Sequence, residues 1–162
     1  MPFARRDIDI YFTEAGTGTA AVLFCHGAGG NAASWWQQIP AFARRYRCLA
    51  FDHRGFARSP CAVEAFSVTA FADDALAVLD AAGVDRAHLV CQSMGGWTGV
   101  QLALGHRDRV ASLTLCDTIG GLALPSGIAS TRTMAARAAA AGALSPALAA
   151  DYHLRDPAGA FL

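Results

Sequence analysis

The sequence predicts an α/β protein, a mostly parallel sheet with flanking helices, and three observations carry that expectation. Apolar runs of strand length recur along the chain, each stops at a polar or glycine-rich loop, and stretches with helical spacing separate them. Hydrophobic residues fill 54% of the 162 positions and charged residues only 16%. That balance suits strands covered on both faces and is too apolar for disorder.

The elements follow in order. Residues 8–12 alternate apolar and polar side chains and run into Glu14-Ala15-Gly16-Thr17-Gly18, which predicts an early antiparallel strand and a tight turn. Residues 20–25 are continuously apolar and stop at His26-Gly27-Ala28-Gly29-Gly30-Asn31, as a fully buried strand and its exit loop would. Helical spacing over 33–44 sets Trp35 or Trp36, Ile39 and Phe42 on a shared face, with Pro40 inside the segment. A short strand over 47–51 then leads into Asp52-His53-Arg54-Gly55.

Ser67 opens the next helix, whose apolar side carries Phe71, Ala75, Val78, Leu79 and Ala82, and Gly83 is its C-terminal cap. A strand from residue 87 runs straight into Ser93, a helix spans 94–105, and a last strand over 110–116 ends at Asp117. Beyond Pro125 the composition turns alanine-rich, with helices over 128–141 and 145–152 broken at Gly142. Such alternation implies right-handed crossovers and places ligand sites at the carboxyl ends of the strands, where the glycine-rich loops fall.

Composition excludes several classes of partner. Thirteen basic and thirteen acidic residues balance, so no net field favours nucleic acid or an acidic membrane surface. All basic residues are arginine, which together with the alanine surplus reads as coding bias. Five cysteines without a C-x-x-C pair suggest neither a disulfide framework nor a zinc site, and four of them sit in strand-like runs as buried free thiols. With no stretch of membrane-spanning length and no signal-like apolar segment, the expected location is the cytoplasm.

Chemistry concentrates at Ser93. An apolar strand delivers it onto a turn of small residues, Cys91-Gln92-Ser93-Met94-Gly95-Gly96, which is the layout of a nucleophile elbow. A serine hydroxyl is a poor nucleophile unless it is held proud of a sheet beside a base and oxyanion donors. Three motifs in order, His26-Gly27-Ala28-Gly29-Gly30, Asp52-His53-Arg54-Gly55 and Gln92-Ser93-Met94-Gly95-Gly96, resemble the α/β-hydrolase superfamily, and within it the small esterases, lactonases and cofactor-free haloperoxidases.

The resemblance implies Ser93 as nucleophile and the amides of Ala28 and Met94 as the oxyanion hole. It implies loop-holding roles for His26, Asp52 and Arg54, no metal and no cofactor, and a small acyl substrate. Trp35 and Phe56 are expected to line an acyl pocket. Cys91 departs from the family, which has glycine two positions before the serine; its bulk is expected to open the turn slightly, and its position marks it as inert packing.

The family places its acid and its histidine on segments after the strand at 110–116, so the chain reads as truncated: 1–122 as the N-terminal part of the core, 123–162 as the start of a helical lid. Substitutes within the chain are Asp117 as acid and His153 as base, with His53 a weaker candidate and His88 and His106 badly placed. The strand at 110–116 is expected to be an open edge that drives self-association. Three functions stay open: a serine hydrolase of small esters or lactones, a non-catalytic remnant lacking its base, and an acyltransferase or perhydrolase using the same residues.

Overall fold

The structure, a computed structural model, describes residues 3–122 and 125–141. The chain forms two compact units, Met1–Gly121 and Leu122–Leu162. The first unit is a six-stranded sheet: β1 (Phe3–Arg5), β2 (Asp9–Ala15), β3 (Ala21–Cys25), β4 (Arg47–Phe51), β5 (Ala87–Gln92) and β6 (Val110–Cys116), in spatial order β1-β2-β4-β3-β5-β6. β1, β2 and β4 pair antiparallel in succession, whereas β4, β3, β5 and β6 are parallel. The mostly parallel sheet matches the sequence expectation; β1, only three residues long with one buried side chain, carries no periodicity and is an addition to it.

Strand alternation divides the core into two layers. Ala21, Leu23 and Cys25 of β3 join Leu49, Phe51, Leu89 and Cys91 on one face, beneath α2 (Phe71–Ala81) and α3 (Gly95–Gly105). Val22 and Phe24 turn the other way with Cys48 and Ala50, onto Ala32 and Trp35. Both faces of β3 are therefore dry, which is why its sequence is unbroken in hydrophobicity.

α2 forms where its caps demand. Ser67 accepts from the Thr69 amide and begins a 3-10 turn, Val68–Ala70, that runs into the helix. At the other end Gly83 adopts φ +64°, its amide bonds the Asp80 carbonyl and the Val84 amide reaches back to Leu79. That pair of bonds is a Schellman closure, which only glycine enters without strain.

The helix expected over 33–44 is replaced by two short pieces, a 3-10 turn at Ala32–Trp35 and α1 at Ile39–Phe42. Asn31 accepts from the Ala33 amide at 2.8 Å and its own amide donates to Ser34 Oγ at 3.0 Å, closing a reciprocal cap. Pro40 has no amide to donate into a continuous helix, and is tolerated because it falls in the first turn of α1. Trp35 packs inward, while Trp36 is 46% exposed.

A buried ionic cluster ties the N-terminal strands to α2. Arg54 Nε and Nη2 donate to the two carboxylate oxygens of Asp74 at 2.6 and 2.7 Å, Arg54 also reaches Asp7 and the Ala65 carbonyl, and Arg6 bonds Asp74 from the outside. These bonds push the Arg54 pKa above its already high value. Removing Asp74 leaves a desolvated guanidinium with only the more exposed Asp7 and one carbonyl as partners, so Asp74→Ala is expected to cost about 3 kcal/mol in urea unfolding. Asp73→Ala, which loses only an exposed contact to Arg6, should stay within about 1 kcal/mol of wild type.

In the second unit, α4 (Pro125–Ala141) begins three residues before the predicted helix at 128. The expected helix over 145–152, the break at Gly142 and His153 lie outside the described residues. Among the described residues no helix is long and apolar enough to cross a membrane.

Candidate active site

Three parallel strands end side by side, and their exit loops build the site. β3 and β5 run in register, Cys25 opposite Cys91, and β6 follows with Cys116 opposite Gln92. The next residue on each strand is therefore His26, Gln92 or Asp117, and Ser93 sits one step beyond Gln92.

The loop after β3 is a tight turn closed by the Gly30 amide on the Gly27 carbonyl at 3.0 Å, with Gly29 at φ +81°. That geometry, with glycine third, leaves the Ala28 amide outside the turn. His26 fixes the loop from below. Its Nδ1–H donates to the Gly27 carbonyl at 2.7 Å, and its Nε2 accepts the His53 amide at 3.0 Å. Both nitrogens are spent, so the imidazole is a strut, as the sequence reading expects.

Ser93 is half-buried and lies at φ +48°, a left-handed conformation uncommon outside glycine. Its amide donates to the Cys116 carbonyl, and its own carbonyl accepts from the Gly96 amide and from Thr118 Oγ1 at 2.5 Å. No hydrogen bond among the described residues reaches its hydroxyl. The backbone at Gly27 approaches so closely that a methyl group there would lie 3.1 Å from Ser93 Cβ and 2.1 Å from Gln92 Oε1. Met94 starts α3, and no backbone bond among the described residues uses its amide or that of Ala28.

Cys91 is accommodated from the helix side. A methyl group on Gly99 would meet Cys91 Sγ at 2.5 Å, so the space the family's glycine leaves on the strand is left here by Gly99 on α3. The expected opening of the turn is unnecessary. Cys91 is fully buried beside Cys25, whose thiol is held well above its ordinary pKa by its hydrogen bond to Cys91 and by burial.

Asp117 lies at the end of β6, exposed, at φ +46°, without a partner among the described residues. Phe56 stands edge-on to His26 at 5.4 Å, beside the Gly27 loop. Trp35 instead packs on Phe24 at 5.1 Å within the core, its Nε1 without a hydrogen-bond partner among the described residues. Asp52 accepts from the amides of Ala32 and Arg58 and from Arg58 Nε, which pins two loops.

His88 is bonded to Ser112 along the sheet and His106 follows the far end of α3. His53 is buried against Phe51 and Phe71, with Nε2 on Thr98 Oγ1 at 2.8 Å. None of the described histidines therefore bonds Ser93. Among the described residues no group of three or more His, Cys, Asp or Glu side chains could hold a metal ion.

Burial, reinforced by repulsion from His26, holds the His53 pKa well below the ordinary 6.5, and burial lowers His26 too. Below pH 6.5 the unfolded chain binds protons that the folded chain refuses, so acid favours unfolding. Stability from both rings is full above that pH and is lost as pH falls toward their folded values. We expect Tm to decline from about pH 6.5 downward, above the range where carboxylates titrate, and the slope to flatten in His53→Gln. A Tm constant from pH 8 to 5 would contradict this account.

Sequence reasoning missed Thr118. Its role depends on a cross-strand bond to a backbone carbonyl, for which a single sequence carries no signal.

A family model described as alpha/beta hydrolase fold matches residues 20–148. A protein of Azorhizobium caulinodans named carbamate hydrolase RutD is 42% identical over 118 residues, 72% of this chain and 44% of that protein. The enol-lactonase of Burkholderia xenovorans superposes with a TM-score of 0.76 at 29% identity, over 96% of this chain and 63% of that one. Est816, described as an N-acyl homoserine lactone degrading enzyme, gives 0.71 at 32% identity, over 85% and 55%. The chain thus spans less than half the length of the curated relative it matches.

Proposed function

The chain belongs to the α/β-hydrolase family, and from that premise we propose that it is a serine hydrolase of small esters, lactones or related acyl compounds, acting through an acyl-enzyme at Ser93. One observation carries the reading: a serine held at φ +48° at the end of an internal strand, whose hydroxyl takes no hydrogen bond among the described residues, with the amides of Ala28 and Met94 unused by any described backbone group. Strained backbone of this kind persists only where the surroundings enforce it, and it clusters at functional sites.

Ser93 Oγ attacks the acyl carbonyl carbon and gives its proton to a base. The carbonyl oxygen becomes an oxyanion and accepts from the Ala28 and Met94 amides; collapse then breaks the bond to the leaving alcohol, which takes the proton back. Water repeats the sequence on the acyl-Ser93 ester and releases the acid. Phe56 forms an apolar wall next to the oxyanion loop. With His26, His53 and His88 hydrogen-bonded elsewhere and His106 at the far end of α3, His153 is this chain's own candidate for the base and Asp117 for its acid partner.

That same commitment of the histidines favours a second reading, a chain that keeps the nucleophile and lacks turnover. Incubation with a fluorophosphonate and, separately, with a chromogenic short-chain ester separates the two. A hydrolase is labelled at Ser93 and turns over ester; absence of both sinks the enzyme reading.

A further inference from the structure

We infer that Thr118 is a positioning residue of the oxyanion hole, acting through the peptide unit between Ser93 and Met94; the inference rests on Ser93 and the Met94 amide having the roles proposed above. The carbonyl of Ser93 and the N–H of Met94 belong to one planar group, so whatever fixes the oxygen also fixes the direction of the N–H. Thr118 Oγ1 donates to that oxygen at 2.5 Å. The direction of this bond is unambiguous, because a carbonyl only accepts and because Thr118 Oγ1 itself accepts the Gly120 amide at 3.0 Å.

Two consequences follow from the hydrogen bond. A donor on the carbonyl pulls electron density toward oxygen and makes the attached N–H a stronger donor, the cooperative effect of chained hydrogen bonds. It also opposes relaxation of Ser93 out of its left-handed conformation, since the Ser93 amide is held by Cys116 of β6 and its carbonyl by the residue two places on. The end of β6 and the loop that leaves it thus hold both sides of Ser93. Gly96 leaves the room required: a methyl group there would lie 2.3 Å from Thr118 Oγ1 and 2.6 Å from its Cγ2.

The test uses the whole chain and a fluorophosphonate, whose phosphoryl oxygen gains charge as Ser93 attacks. Thr118→Val keeps the shape and removes the donor; Thr118→Ser keeps the donor. The inactivation rate constant of Thr118→Val is expected to fall about tenfold, with the reagent's binding constant within about twofold and an unchanged circular dichroism spectrum, and Thr118→Ser to return to within about twofold of wild type. Thr118→Ala supplies a second donorless variant should valine disturb folding.

The Met94 amide nitrogen resonance should move upfield in the donorless variants and return in Thr118→Ser, a readout independent of Ser93 reactivity. Equal inactivation rates for wild type and Thr118→Val, or a serine variant no faster than the valine one, would overturn the inference alone. A wild-type chain that no fluorophosphonate labels overturns the proposed role of Ser93, and the resonance shift then still reports whether Thr118 polarises the peptide.

Discussion

Ser93→Ala is expected to abolish fluorophosphonate labelling and to reduce ester turnover to background, while leaving the fold intact. Serine and alanine both carry a Cβ, so the left-handed conformation at φ +48° costs the same in each. The exchange deletes one hydroxyl that no described group binds, and its effect on stability should stay within about 0.5 kcal/mol. Loss of chemistry at constant Tm is the signature of a nucleophile. If labelling persisted in the alanine variant, the reactive group would lie elsewhere and the proposed mechanism would fall with it.

Gly95→Ala should have the largest effect on folding. A methyl group at Gly95 would lie 2.2 Å from the carbonyl oxygen of Cys25 and 2.6 Å from its carbon. These atoms are backbone of β3, which is hydrogen-bonded to β4 on one side and β5 on the other and has nowhere to retreat. We expect destabilisation beyond about 4 kcal/mol, in the tail of single-substitution effects, seen as loss of soluble folded chain or collapse of the urea midpoint. Gly105→Ala is the control: it ends the same helix, faces open space and should be neutral or slightly stabilising. A wild-type midpoint for Gly95→Ala would mean that the start of α3 can lift away from the sheet.

The strands of this fold that were legible in the sequence are those whose apolar runs stop at polar or glycine-rich loops; β3 and β4 are buried on both faces, whereas β6 is half-buried or exposed throughout. Residues 47–51 and 110–116 form strands with the predicted bounds, and 20–25 differs by one. The helix over 33–44 failed because its apolar spacing is real while its backbone is interrupted by local chemistry, the Asn31–Ser34 exchange and Pro40. Asn31-x-x-Ser34 was a visible signal for that interruption. The Arg54 cluster was hidden for another reason: its acidic partners, Asp74 and Asp7, lie 20 and 47 residues away, and which carboxylate an arginine finds depends on the completed sheet. At the site, the residue types and turn of the elbow are local and readable. Gly99 making room for Cys91 and Thr118 gripping Ser93 are relations between elements, invisible until those elements are packed.

The bonds that hold Ser93 from outside its own turn come from Cys116 and Thr118, the latter 25 residues further along the chain and separated by the whole of α3. Parallel strands cannot meet until the crossover between them is built, so these contacts require α3 to be in place. With β6 removed, paired β3, β4 and β5 would still present the serine, but the bonds from Cys116 and Thr118 to its amide and carbonyl would be gone. The proposed nucleophile is written in the local sequence, whereas its restraint comes from beyond α3.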